Sequence, residues 1–514
     1  MASTKPRAVV IGSGFGGLSV AIRLQSAGFD TEILESRDKP GGRAYVWEQD
    51  GFKFDAGPTV ITAPEAIEEL YELSKRKFSD YVTMKPLTPF YRLLWWDGYQ
   101  FDYSNDEDEL FRQIREKNPQ DVEGYQRFYE YSKEVFQEGY VKLGTVPFLD
   151  FWSMIRCAPQ LMKLQAHRSV YSIVSKYIKD RHLREAFSFH SLLVGGNPFS
   201  ASSIYTLIHH LERQWGVHFP MGGTGALVQG MVKLFEDLGG KIHYNSPVDA
   251  ILTENKKVTG VKTQDGTVRK VPLVVSNADV HYTYNHLLKD DSVTRARARR
   301  LNRMNYSMSL FLIYFGTKKQ YRGKLAHHNV IFGPRYKGLL KNIFGKQKQL
   351  AEDFSLYLHV PTVSDPSVAP EGCDAFYALS PVPHLGDLEV DWEKEAPRYR
   401  DRIMNFLEER YLPNLRNEIV TERVFTPNDF KTVLNAHMGN AFSLTPLLTQ
   451  SAYFRQHNRD DHLEGMYFVG AGTHPGAGIP GVVGSAKATA STIMSDIQEK
   501  RIELGSMPQG MAYA

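Results

Sequence analysis

The sequence predicts an α/β protein whose two ends fold together around inserted middle segments. Three observations predict it: a strand, glycine turn and helix open the chain, a second such unit closes it, and between them helical periodicity gives way to alternating, aromatic-rich periodicity. At 514 residues the chain exceeds the ~100–200 residues of an ordinary domain. Two or three substructures are therefore expected.

The opening unit begins with the β-branched run Ala8 to Ile11, followed by Gly12, Gly14 and Gly17 in the pattern G-x-G-x-x-G and an apolar helix with Leu18, Ala21, Ile22 and Leu24. The first glycine permits the turn, the second lets backbone approach a pyrophosphate, and the third lets helix and strand pack closely. Gly28 closes the helix. Thr31 to Leu34 reads as a second strand and ends at Glu35, a carboxylate about 20 residues beyond the glycines, where a ribose hydroxyl is recognised. This context makes the unit Rossmann-like. Arg37 to Ala44 then adds Gly41, Gly42 and Arg43, which together offer free backbone amides and a fixed cation for a diphosphate.

The closing unit reads as a turn and buried strand over Gly465 to Gly470, small residues from Ala471 to Val483, and an Ala-rich helix from Ser485 to Ile493. Backbone that carries few side chains can lie against a flat aromatic ring and aim amides at it.

These segments carry a resemblance. The stretch Arg37 to Ala44 resembles the continuation found in the FAD-binding flavoprotein superfamily of amine oxidases, GDP-dissociation inhibitors and carotenoid desaturases, and Gly51 to Val60 resembles the stretch that runs toward the flavin there. Gly470-Ala471-Gly472-Thr473-His474-Pro475-Gly476-Ala477-Gly478-Ile479-Pro480-Gly481-Val482 resembles the signature of the bacterial and fungal phytoene desaturase family. Phe187 to Pro198, Gly222 to Leu227 and Val274 to Asp279 fit the same family, and the likeness runs from about Val9 to Ile497.

The resemblance implies a fold of the amine-oxidase type and FAD as cofactor. Gly12, Gly14, Gly17, Glu35, Gly42 and Arg43 would serve the dinucleotide, Val248 would flank the adenine, and Asn277 would lie near the cofactor. Pro58, Thr59, Val60, Gly472, Ile479, Pro480, Gly481 and Val482 would meet the flavin.

In the middle, Pro64 to Trp215 is mainly helical by pattern, with Thr62 placed to cap, Pro64 in a first turn, and Ile67, Leu70, Tyr71 and Ser74 along one face. Lys241 to Val275 alternates as strands, with Asp265-Gly266 as a hairpin turn. Tyr306 to Phe425 reads as a mixed sheet with a buried face, as in Ser309 to Phe315. The expected division is 1–63, 216–300 and 426–514 for the FAD-binding domain, 64–215 for a helical, membrane-facing insertion, and 301–425 for the mixed-sheet substrate domain.

Composition excludes several classes. Hydrophobic residues at 42% and charged residues at 23% are those of a globular chain. The 61 basic and 58 acidic residues nearly cancel to +3, which gives nucleic-acid binding no support. Cys157 and Cys373 form no C-x-x-C pair, so a reducing, cytoplasmic setting fits. No window reaches the ~18 consecutive apolar residues of a spanning helix. Val141 to Ile155, beside Arg156 and Lys163, instead mixes aromatic and apolar side chains with cations, as surfaces that dip into lipid do.

Dehydrogenation of an unactivated allylic chain needs one hydrogen taken as hydride by the flavin and the neighbouring one lost as a proton. His474 could orient substrate, tune the ring or make a structural hydrogen bond, and Asp150 and Arg156, beside the expected lipid entrance, are the acid/base candidates. No metal site is expected, since His209-His210 and His327-His328 are adjacent pairs that regular structure would point apart. The resemblance implies phytoene as substrate, lycopene as product, a membrane surface as partner, and oxygen or a quinone as electron acceptor. A related desaturase, isomerase or ketolase, or a non-catalytic prenyl-protein carrier, is the alternative.

Overall fold

A computed structural model describes residues 5–346, 348–502 and 504. The outermost parts of the first and last expected segments, 1–4 and 505–514, lie outside these residues.

Strands Arg7–Ile11 and Asp30–Leu34 pair in parallel, as their β-branched, buried residues dictate. Three distant strands complete the sheet in the order Lys241–His243, Asp30–Leu34, Arg7–Ile11, Val274–Ser276, Met466–Phe468. All four pairings are parallel, so the sheet draws on both ends of the chain and needs cover on both faces. Helix Phe15–Ser26 supplies part of that cover, buried along nearly its whole length and packed against helices Thr224–Asp237 and Ile479–Gln498.

The second body is a seven-stranded mixed sheet in the order Ile419–Phe425, Ser309–Thr317, Asp374–Val382, Leu356–His359, His328–Phe332, Tyr91–Trp95, Gln100–Tyr103. Strand Ser309–Thr317, between Ile419–Phe425 and Asp374–Val382, is buried at every position. Alternation decides what each side chain meets. Phe311, Ile313 and Phe315 turn to helix Trp392–Arg410, whose Trp392, Tyr399, Ile403, Met404 and Leu407 form one stripe. Each such large side chain contributes ~1.5–3 kcal/mol on burial. Leu310, Leu312 and Tyr314 turn the other way and line a cavity.

The sequence reading differs from this arrangement in two places. Tyr91–Trp95 and Gln100–Tyr103 form a hairpin that joins the mixed sheet through a parallel pairing with His328–Phe332, because Tyr91, Leu93 and Trp95 alternate inward. The segment 64–215 is thus helical only in part. Thr62 does not cap a helix: it pairs with Val217 in strand Ile61–Thr62, Ala63 turns the chain at φ 53°, and Pro64 is the N-cap of helix Glu65–Leu73. Ile67, Leu70 and Tyr71 are nonetheless buried on that helix, and Asp265-Gly266 joins the antiparallel strands Lys257–Thr263 and Val268–Lys270.

Histidines are built into the interior as neutral groups. His209 lies between the hydroxyls of Tyr103 at 3.0 Å and Tyr125 at 3.2 Å, and burial holds its pKa well below the ordinary value. His437 stacks on His281 with ring centres 3.4 Å apart, and burial pushes it down to about 4. These groups protonate near pH 6.5 when unfolded, so between about pH 6.5 and 4 the unfolded chain binds more protons and stability falls as pH falls. Asp55 and Glu65, raised by burial to about 6 and about 7, and Asp279, also raised, act in the opposite sense but are outnumbered by the nine histidines that burial lowers among the described residues. Thermal unfolding followed by circular dichroism is expected to give a melting temperature that drops steadily from pH 6.5 to 4.5. The same drop in a His209→Gln, His437→Gln double variant would refute the assignment.

Candidate functional site

Two helix N-termini open onto one cavity. Gly14 is the N-cap of Phe15–Ser26 and Gly478 the N-cap of Ile479–Gln498, and no side chain caps either. Unsatisfied N–H groups and the positive dipole end make such a terminus a site for anions. The N-terminus of Thr224–Asp237 shows the contrast: the Asp55 carboxylate accepts from the amides of Thr224 at 2.9 Å and Gly225 at 3.1 Å. The first two termini are left for something else.

The two glycine-rich ends meet over Asn277, just beyond strand Val274–Ser276. A Cβ at Gly16 would lie 2.7 Å from Asn277 Oδ1 and 3.1 Å from Gly470 Cα, and one at Gly470 would lie 2.7 Å from Asn277 Oδ1. Beside this junction stands Arg43, whose Nε and one terminal nitrogen are buried without a hydrogen-bond partner. Asp279, whose Oδ2 is likewise unpartnered, is its nearby counter-charge. Burial lowers the Arg43 pKa and raises that of Asp279. A guanidinium left with bare N–H groups at two open helix ends fits a diphosphate.

The cavity has a volume of about 950 Å³. At its glycine-rich end lie Gly12, Gly14, Glu35, Gly42, Arg43 and Asn277, and Val248 is also on the lining. Glu35 accepts from the amide of Ser13 at 2.8 Å, the Ser13 hydroxyl at 2.6 Å and the amide of Arg37 at 2.9 Å, which fixes its carboxylate. Pro58, Thr59 and Val60 line the middle, with Ile479, Pro480, Gly481 and Val482. Beyond them the lining is apolar and aromatic: Phe189, Leu310, Leu312, Phe332, Leu379 and Phe425 belong to it.

Four expected site residues stand elsewhere. Gly17 does not line the cavity; a Cβ there would fall 2.0 Å from the Gly12 carbonyl, so its absence lets helix and strand touch. Gly472 packs on Val280, 2.5 Å from where its Cβ would be. Asp150 is the N-cap of helix Phe151–Lys163, its carboxylate accepting from Ser153 at 2.9 Å, and both it and Arg156 are exposed and off the lining. A capping carboxylate and a solvated cation are what their sequence context also allows.

His474 does reach the cavity. Its Nε2 donates to the Leu143 carbonyl at 2.8 Å, its Nδ1 is buried without a partner, and burial pushes its pKa down to about 4. Sequence reasoning missed Glu212 and Tyr91. Glu212 is fully buried, lines the cavity, accepts from the Tyr91 hydroxyl at 2.6 Å and lies 3.0 Å from His190 Nε2. The only local signal was a glutamate on the otherwise buried face of Leu207–Trp215. Thr59 Oγ1 meets the hydroxyls of Tyr357 at 2.8 Å and Tyr377 at 2.9 Å, a contact between residues about 300 positions apart that no spacing reveals.

Residues 15–494 match the family described as flavin containing amine oxidoreductase. The chain belongs to this flavoprotein family. It is 60% identical over 96% of its length to the phytoene desaturase (lycopene-forming) of Pseudescherichia vulneris, all of which is covered, and 59% identical over 95% to that of Pantoea ananas, of which 99% is covered. Its fold is like that of a putrescine oxidase, at a TM-score of 0.64 and 14% identity over 96% of this chain and 99% of the other. The flavoprotein's cofactor is FAD, and the bare Arg43 nitrogens beside two uncapped helices suit its diphosphate. Arg43→Gln should therefore weaken FAD binding at least tenfold, ~1.4 kcal/mol, read as flavin retained on desalting and as fluorescence quenching in titration. Unchanged retention would remove Arg43 from the site.

Proposed function

We propose that this flavoprotein desaturates phytoene to lycopene in carotenoid biosynthesis, with Gly12, Gly14, Glu35, Gly42 and Arg43 holding the dinucleotide and Pro58, Thr59, Val60 and Ile479 to Val482 set against the flavin ring. The observation that carries the reading is the near-60% identity, over almost the whole chain, to two lycopene-forming phytoene desaturases. The cavity supports it physically. One end offers amides and a guanidinium, and the remainder offers an apolar wall of the kind a long hydrocarbon needs.

Bound FAD supplies the two-electron oxidant for each step. The chain's own residues bind the polyene along the Leu310–Leu312–Leu379 wall, exclude water, and receive the proton that leaves as each double bond forms. Glu212, with Tyr91 donating to it, is the group placed to hold that proton. Reoxidation falls to oxygen or a membrane quinone, since the sequence holds a single dinucleotide fingerprint.

Substrate enters from a membrane surface. Among the described residues no helix is long and apolar enough to cross a membrane, yet Phe151, Trp152, Ile155 and Met162 expose 50, 66, 42 and 64% of their surface on one helix, and Val141 is exposed ahead of it. Met154 and Leu161 of the same helix line the cavity. A helix with one face in lipid and the other on the cavity gives a hydrocarbon a path that never crosses water.

The test is incubation of the FAD-loaded protein with phytoene in liposomes, followed by pigment chromatography. Lycopene is the expected product; a product with fewer double bonds overturns the lycopene assignment, isomerised or oxygenated product favours the related enzymes, and no turnover with no FAD bound favours a carrier. In the same liposomes Trp152→Asp with Ile155→Asp should cut co-sedimentation at least tenfold and leave bound FAD unchanged. Undiminished co-sedimentation would place the membrane contact elsewhere.

A further inference from the structure

Adjacent residues in a regular strand face opposite ways, and that argues against a shared site at His327 and His328. The structure differs because His327 stands one residue before strand His328–Phe332 and escapes the alternation. His328 is paired directly opposite His359 of strand Leu356–His359, so their rings leave the same face, 19° from parallel with centres 5.4 Å apart. The His327 ring lies 4.5 Å from that of His328 and 4.8 Å from that of His359. One ring nitrogen from each of the three falls within 4.8 Å of the others.

Two outer nitrogens are fixed and an inner one is bare. His327 Nδ1 is 2.8 Å from Ser364 Oγ, and His328 Nδ1 is 2.6 Å from the Tyr357 hydroxyl. His327 Nε2 and His359 Nε2 stand 3.0 Å apart, while His328 Nε2 is buried with no partner. A proton shared between His327 and His359 would satisfy that pair alone. It would leave His328 Nε2 unpaired at a cost of ~1–3 kcal/mol.

We propose that His327, His328 and His359 bind a divalent first-row transition ion of zinc's class. Three imidazoles, two of them with the second nitrogen held by a hydroxyl, are the donor set such ions take. Tetrahedral coordination at ~2.0–2.1 Å sets ligand nitrogens about 3.3 Å apart, near the 3.0 Å already present between His327 and His359. Neutral imidazole is the ligating form. Three neutral ligands leave a fourth position for water or hydroxide.

The ion has a structural place. Tyr357, which touches His328, also touches Thr59 on the cavity wall, so a pinned His328 pins that wall. At 3, 0 and 1% exposure the three histidines give a bound ion no open route to solvent. It would enter as the chain folds and leave only when the chain unfolds.

The experiment uses the full-length, FAD-loaded protein expressed with zinc in the medium, desalted against a chelator, with metals counted by plasma mass spectrometry. About one ion per chain is expected, retained by the folded protein and released to a chromogenic chelator on denaturation, with zinc-edge X-ray absorption giving nitrogen neighbours at ~2.0–2.1 Å. His328→Asn and His359→Gln should each hold less than about a tenth of an equivalent. Wild-type protein below that level, metal unchanged in both variants, or an absorption spectrum without imidazole neighbours overturns the site. The wild-type counts and spectrum decide it even where a variant fails to accumulate.

Discussion

The structure turns on how closely backbone can approach backbone around Asn277. Strand Val274–Ser276 lies between Arg7–Ile11 and Met466–Phe468, so the residue after it meets the turns that follow both neighbours. Gly14, Gly16 and Gly470 would each place a Cβ within 3.0 Å of its side chain. Because none carries a side chain, the two turns close over the amide and their helices start side by side. Forcing methyl groups into such a space typically costs ~1–3 kcal/mol each. The cost would fall on the junction that faces both helix ends toward one ligand.

The second constraint is the two-sidedness of strand Ser309–Thr317. A strand buried on both faces must satisfy two partners with alternate residues. Here one set packs on helix Trp392–Arg410 and the other becomes cavity wall. The helix holds the sheet rigid from behind, so the wall can stay apolar and unfilled without collapse. A cavity lined by leucine and phenylalanine stays dry unless something apolar enters, which is the condition a hydrocarbon substrate sets.

What the sequence made legible follows from range. Strand–turn–helix units at either end are local, and the glycine spacing, Glu35, Arg43 and the small-residue run could be read where they stand. Their joint placement around one cavity was inferable only through resemblance. Gly17 was legible as the packing glycine of its motif; Gly472 was legible as an indispensable glycine but not as a packing rather than a lining position, because both roles demand a missing side chain. Asp150 shows the same limit: an aspartate before a helix reads equally as a cap or as a reactive acid until burial separates the two. Glu212, the Thr59–Tyr357–Tyr377 contacts and the three histidines escaped because each joins residues whose proximity is set by sheet register or helix packing.

His474 shows how the two halves of the site are tied. It belongs to the late glycine-rich loop, yet its hydrogen bond runs to Leu143 and its ring packs edge-on against Phe148 at 4.9 Å, both just ahead of the exposed apolar helix. The late glycine-rich loop and the segment leading to the exposed helix therefore move together or lose this bond. Burial keeps the ring neutral down to about pH 4, so its donor and acceptor nitrogens do not change character with modest acidification. A structural bond of this kind can still govern chemistry: under the function proposed above, with the exposed helix as entrance, it fixes the distance between entrance and oxidant that a threaded substrate must span.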